Sequence, residues 1–291
     1  MPNAKIGVIG GSGLYQIEGV ADIEEVNLDT PFGKPSDTIT IGRLEGVGIA
    51  FLPRHGKGHH ISPTEVPYRA NIYALKSLGV EWLISINTVG SFKQEIKPGD
   101  FVIPDQIIDR TRSRASSFFG EGIVVHISFA KPFCPVLSQI LCKAAKETRA
   151  NVHLKGTYVA MEGPALSTRA ESRLYRSWGA DIIGMTALPE AKLAREAEIC
   201  YASFACVTDY DSWQEPGEPF SVDTIFNILR KNSATAKKVI TLAVARIPEE
   251  RNCDCANALK DAIATAPSFI PPEQKKKLSL LIGKYLTKGE S

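Results

Sequence analysis

The sequence predicts an α/β fold, a mixed and mostly parallel sheet flanked by helices, and three observations carry that reading. Short apolar, strand-like runs alternate along the chain with segments of helical periodicity. Residues 199–207 are apolar without period-two alternation, as expected of a strand covered on both faces. Two further runs, 38–44 and 47–52, flank Glu45-Gly46, which reads as a two-residue hairpin turn and adds antiparallel strands.

The elements follow in order. Residues 6–9 form a first short strand, and the hairpin comes next. Pro67 at a start position and Gly79 as a stop bound a helix over 68–78. A buried strand is predicted at 81–86, with further strands at 101–103, 157–160 and 182–183. Helical periodicity covers 136–145, 168–177, 189–197 and 221–247. Past Pro248 the character changes, and 257–264 and 272–285 read as two terminal helices. The chain therefore divides into one α/β domain, 1–247, and a helical extension, 248–291, packed on the same domain or on a neighbouring subunit.

A chain of 291 residues that is 44% hydrophobic can bury a full core. Its net charge of +2 offers no basic excess to track a phosphate backbone, so nucleic acid is not an expected partner. No apolar stretch reaches the roughly 18 residues of a membrane span, and the start lacks a signal-peptide apolar core, so a cytoplasmic location is expected. The six cysteines, at 134, 142, 200, 206, 253 and 255, include no Cys-x-x-Cys, which disfavours a zinc ribbon or a redox pair. Cys200 and Cys206 read as small hydrophobes on a buried strand, and Cys253-Asp254-Cys255 as exposed or half-buried thiols, with disulfides as the alternative.

Chemistry-bearing residues gather where strands end. Gly10-Gly11-Ser12-Gly13 follows the first strand, where glycines let backbone N–H groups close on an anion. Neither a dinucleotide fingerprint nor a Walker loop fits: Gln16 stands where the third glycine would fall, and no Lys-Ser/Thr follows. Arg54-His55-Gly56 follows residues 47–52 and offers a planar fork with a second donor. Asn87-Thr88-Val89-Gly90-Ser91 follows residues 81–86, Met185-Thr186 follows another strand, and Asp209-Tyr210-Asp211 follows 199–207. Each alone is an ordinary polar loop, and Asp-x-Asp alone an ordinary turn. Together they form a set at the carboxyl ends of α/β strands, where ligands bind.

These motifs, with Thr30-Pro31-Phe32-Gly33-Lys34-Pro35-Ser36, Glu162-Gly163-Pro164 and Ser167-Thr168-Arg169-Ala170-Glu171-Ser172, resemble in order the methylthioadenosine phosphorylase branch of the trimeric purine nucleoside phosphorylases. The resemblance runs from about residue 6 to 245. It implies a nucleoside phosphorylase fold, a homotrimer or a trimer-based hexamer, a nucleoside substrate with inorganic phosphate as co-substrate, and no cofactor or metal. Phosphate would be held by Ser12, Arg54, His55, Asn87, Thr88 and Thr186. Asp209, with Asp211, would serve as the catalytic carboxylates facing N7 and the 6-amino group of adenine. Met185 would lie against the ribose, with Leu166, Ser167 and Tyr210 on the substrate side. Val222, Ile225 and Phe226 match a 5′-alkylthio pocket that His126 reaches from the adjacent subunit.

Two departures stand out: Ala165 and Leu166 replace an Arg-Phe pair, and Gly184 replaces a larger polar residue. Cys253 and Cys255 resemble a cysteine pair of some longer members. The implied reaction is phosphorolysis of methylthioadenosine. The alternative is a 6-oxopurine phosphorylase, and a silent nucleoside-binding protein or a nicotinamide enzyme stands further off.

Overall fold

A long strand that changes partners halfway along organises the molecule. The computed structural model describes residues 4–11, 17–214 and 222–286. Strands β1 (Ile6–Gly10), β2 (Ala21–Val26), β3 (Ile39–Leu44) and β4 (Val47–Pro53) precede helix α1 (Tyr68–Ser77) and the ten-residue β5 (Trp82–Ser91). Then come β6 (Phe101–Ile103), β7 (Gln106–Arg110), α2 (Pro135–Glu147), β8 (Val152–Leu154), β9 (Thr157–Met161) and α3 (Arg169–Ser177). The set closes with β10 (Ile182–Gly184), α4 (Ala187–Glu196), β11 (Cys200–Tyr210), α5 (Val222–Val244), α6 (Pro272–Lys277) and α7 (Ser279–Leu286).

Trp82 to Ser85 of β5 pair in parallel with β1, which leads outward through β4, β3 and β2. Gly90 and Ser91 pair antiparallel with β10, which leads to β9 and β7. The other edge of β5 runs parallel to β11 along its length, and β6 and β8 follow β11. The sheet thus forks at the carboxyl half of β5. Strands β1, β5 and β11 can be central because their apolar residues are covered by helices on both faces; all five residues of β1 and the first nine of β11 are buried.

Local chemistry accounts for the helix ends. Gly79, at φ +92°, follows the α1 cap Leu78 in the left-handed conformation that stops a helix. Thr168 caps α3 in a reciprocal box with Glu171, the two residues exchanging side-chain and backbone bonds. The hairpin turn forms as expected, with Glu45 and Gly46 both at positive φ between the paired Leu44 and Val47.

Several expectations are corrected. Residues 87–91 are not an exit but the second half of β5. Strands β2, β7 and β8 escape the sequence reading because they are short or polar edge strands; β2 is Ala-Asp-Ile-Glu-Glu-Val, nearly all exposed. No helix forms over 257–264, where a 3₁₀ turn (Asp254–Asn257) leads into turns. The chain there is held extended against another segment, with His126 N–H donating to Ala262 O (2.9 Å) and Ala264 N–H to Val124 O (2.9 Å). The helix predicted over 272–285 breaks at Leu278 (φ −102°, ψ 9°), and Leu278, Leu281 and Ile282 all reach the core cluster that includes Ile72 and Leu193. Cys253 and Cys255 are not an isolated pair beside solvent: Cys255 is buried, Cys253 half-buried, and both meet Cys134 and Cys200, with all described cysteines free of disulfides. Among the described residues no helix is long and apolar enough to cross a membrane.

Candidate active site

At the fork, the carboxyl ends of five strands enclose a cavity of about 250 Å³. Gly11 comes from the end of β1, Arg54 and His55 from the end of β4, Ile86, Thr88, Val89 and Gly90 from β5, Gly184 to Thr186 from the end of β10, and Thr208, Asp209 and Asp211 from the end of β11. Pro63, His59, Met161, Ile183 and Leu166 complete the wall, and Leu166 is half exposed at the rim.

Arg54 is 2% exposed, and its fork grips Glu190 of α4, which is fully buried. Nε donates to one carboxylate oxygen and Nη2 to the other (3.1 Å); Nη2 also reaches Ser85 Oγ (2.7 Å), and Nη1 donates to Ile86 O (3.0 Å). Burial opposes the charge on Arg54, but the Glu190 carboxylate outweighs it and holds the guanidinium above its ordinary pKa. A guanidinium has five hydrogens, so these bonds leave one on Nη1 unassigned in a residue that lines the cavity.

His55 Nδ1 sits 2.8 Å from Ile61 O; a carbonyl only accepts, so Nδ1 carries the hydrogen and Nε2 presents a lone pair. Burial, then the Arg54 charge, lowers its pKa to about 4, so the ring is neutral at physiological pH. The His59 ring stacks on it at 4.3 Å. Gly56, at φ +69°, makes this turn possible, since a Cβ there would strike the His60 ring.

Alternation along β5 sorts its polar side chains. Thr88 is exposed to the cavity. Asn87 faces the other way and is not on the cavity wall: Oδ1 accepts from Ser203 Oγ (2.7 Å) and Ser85 Oγ (3.0 Å), while Nδ2 donates to Thr186 Oγ1 (2.9 Å). Asn87 is therefore corrected from an anion ligand to a positioning residue. Because Thr186 Oγ1 accepts from Asn87, its own hydrogen is free to be donated into the cavity.

A bulge between Val207 and Asp209 shifts the register of β11 against β5 and brings Thr208 and Asp209 to the same wall. Thr208 Oγ1 donates to Asp209 Oδ1 (2.6 Å). Burial raises the Asp209 pKa to about 6; the Thr208 bond opposes this and the neighbouring Asp211 charge adds to it. Asp211 is also raised, chiefly by burial, and its Oδ2 is buried without a hydrogen-bond partner. Gly90 lies against this acidic wall: a Cβ there would stand 3.4 Å from Asp209 Oδ2 and 3.5 Å from Asp211 Cβ.

Other expected residues fall elsewhere. Tyr210, between the two aspartates, points outward and donates to Gln94 O (3.0 Å), and Ser167 is buried beside Met161 off the cavity wall. His126 is exposed and away from the cavity. Ser12 and the side chains of Val222, Ile225 and Phe226 lie outside the described residues. The space beside Gly184 is filled by the Tyr158 hydroxyl. Sequence reading missed Glu190, and it missed Arg114, whose guanidinium donates to the carbonyls of Met185, Leu188 (2.7 Å) and Glu162 (2.5 Å), fixing two site loops. A single arginine in a loop carries no sequence signal of such a role.

A family model described as the phosphorylase superfamily matches residues 5–245. The chain is similar to an S-methyl-5′-thioadenosine phosphorylase of Geobacter sulfurreducens, 58% identical over 97% of this chain and 99% of that one. It is also similar to one of Synechocystis, 54% identical over 98% and 89%. Among solved structures it resembles a methylthioadenosine phosphorylase from an antarctic soil metagenomic library, at TM-score 0.93 and 49% identity over 97% and 99% of the two chains. A Schistosoma mansoni adenosine/methylthioadenosine phosphorylase variant in complex with methylthioadenosine superposes at TM-score 0.80 and 38% identity, over 89% and 96%. A forked α/β sheet whose cavity gathers paired aspartates and an Arg-His turn, and relatives more than half identical over nearly the whole chain, lead to one conclusion: the chain belongs to the phosphorylase superfamily, in the family of the S-methyl-5′-thioadenosine phosphorylases.

Proposed function

We propose that this protein catalyses the reversible phosphorolysis of S-methyl-5′-thioadenosine to adenine and 5-methylthioribose 1-phosphate, with inorganic phosphate as co-substrate and no cofactor. The observation that carries it is Asp209: burial raises its pKa to about 6, so a fraction of the carboxyl is protonated near neutral pH and can give that proton, and it shares a cavity with anion-competent groups.

In this reading a phosphate oxygen forms the bond to C1′ as the C1′–N9 bond breaks, and the bonding pair leaves with the purine. The sugar passes through an oxocarbenium-like state, as in glycoside hydrolysis. Asp209 gives its proton to N7, so the base departs neutral. The bound phosphate stabilises the cation it attacks, with donors from Arg54, Thr88 and Thr186 and the backbone N–H of Gly11. Neutral His55 suits hydrogen phosphate, whose P–OH can donate to Nε2. Arg54 acts mainly as a buried positive charge, because Glu190 takes most of its fork. A 6-amino group donates, and the Asp209–Asp211 pair supplies acceptors for it.

The exposed His126 lies outside its own cavity, which supports a reading in which a homotrimer or hexamer brings it to a neighbour's 5′ pocket beside Val222, Ile225 and Phe226. The deciding assay measures base release from methylthioadenosine and methylthioinosine in phosphate buffer. Adenine release that needs phosphate is expected; faster turnover of the inosine analogue would replace this reading by the 6-oxopurine one.

Thr186→Val tests the anion assignment at constant shape. It removes a donor to phosphate and the acceptor of Asn87, at about 1–3 kcal/mol for an unsatisfied buried group. The expected result is a phosphate KM raised about tenfold or more, from initial rates at saturating nucleoside; an unchanged phosphate KM rejects the role.

A further inference from the structure

Four cysteines from three separated stretches meet at one point, and none of them lines the cavity. Cys134 caps the start of α2, Cys200 begins β11, and Cys253 and Cys255 open the C-terminal extension. Their Sγ atoms all lie within 4.8 Å of one another, with 3.3 Å between Cys200 and Cys253 and 3.7 Å between Cys134 and Cys253. Cys134, Cys200 and Cys255 are buried, Cys253 is half-buried, and no disulfide joins them.

Disulfide sulfurs stand about 2.0 Å apart, and a thiol buried only as a small hydrophobe needs no thiol neighbours. Four thiolates about 2.3 Å from a tetrahedral ion, by contrast, lie about 3.8 Å from each other. The observed spacings suit the second arrangement. We propose that Cys134, Cys200, Cys253 and Cys255 form a structural tetrathiolate site for a zinc ion. An all-sulfur set selects a soft, tetrahedral cation, and four protein ligands leave no open position for catalysis. Loading turns four thiols into thiolates and releases their protons.

The local structure shows what such an ion would hold. Two ligands sit on the rigid body: Cys134 N–H donates to Tyr201 O (2.7 Å), and Cys200 N–H donates to Glu81 O (2.8 Å). The other two belong to the extension. Shortly after Cys255 the extension bridges Ile263 to Val125, and Ala262 accepts from His126. The ion would therefore pin the extension to the domain and, through it, steady the segment carrying His126. The site escapes spacing rules because its ligands come from distant segments and its one close pair is Cys-x-Cys.

The test uses the full chain, expressed without an affinity tag and purified under reducing conditions without chelators. Elemental analysis is expected to find one zinc per chain, released by a mercurial thiol reagent. Exchange with cobalt should give the strong near-ultraviolet charge-transfer band and visible bands of tetrahedral thiolate coordination. The Cys253→Ser/Cys255→Ser variant should lose the metal. A wild-type chain without stoichiometric metal overturns the proposal, as does an intact mass showing disulfides among these cysteines, or zinc retained by the double variant. Should that variant fail to fold, the wild-type metal content and cobalt spectrum still decide.

Discussion

Replacing Asp209 by asparagine is expected to remove nearly all turnover of methylthioadenosine while making the unliganded protein more stable. Loss of a general acid slows such reactions about 10²- to 10⁴-fold, and the amide has no proton to give N7. The stability gain follows from the same burial. Unfolded, the carboxyl ionises near its ordinary value of 3.8; folded, it keeps its proton up to about 6. Its stabilising contribution is therefore complete below about pH 4 and is lost as the pH rises through 6. At neutral pH the buried carboxylate costs on the order of 1–3 kcal/mol, which an amide avoids. Thermal melts of the apo-proteins at pH 7.5 and pH 4 measure this, and the gain should appear only at the higher pH. Asparagine also offers a donor to a 6-oxo group, so the ratio of methylthioinosine to methylthioadenosine turnover should rise roughly tenfold to hundredfold. Turnover within a few-fold of wild type would remove the chemical role assigned to Asp209.

Glu190→Ala should cost the most stability of any single change at the site. It leaves the Arg54 guanidinium buried without its counter-charge and strips the acceptor from Tyr201 Oη (3.1 Å). Breaking a buried ion pair from one side typically costs about 3–5 kcal/mol, whereas replacing both partners by apolar residues is often neutral. The double variant Arg54→Leu/Glu190→Leu should thus recover most of the loss in urea denaturation, yet show a phosphate KM at least tenfold above wild type. A single variant within about 1 kcal/mol of wild type would mean the pair is not what secures β4 to α4.

Local residue chemistry carried much of the fold into the sequence. The hairpin at Glu45-Gly46 and the Gly79 stop are satisfied by neighbours a few residues away, so spacing alone exposes them. The C-terminal helices were misread because their outcome depends on remote backbone: residues 262–264 pair with 124–126 across the chain. The site was legible in its strand-end motifs, but not in the facing of each side chain. Asn87 and Tyr210 stand next to cavity residues in sequence and point away from the cavity, because the strands continue through the motifs and pleating alternates the side chains. Glu190 was invisible because a charged residue in a helix reads as a solvated face, while α4 is buried almost all round.

By itself the sequence determined the α/β class, the family and the residue types that carry the chemistry, since each is encoded in short-range pattern and motif order. Only the tertiary structure decided which polar groups are spent on each other and which face the cavity. It also decided that burial raises the Asp209 pKa and that four scattered cysteines become one cluster. Desolvation, side-chain facing and the meeting of distant segments depend on what packs across the chain, and linear spacing does not carry that information.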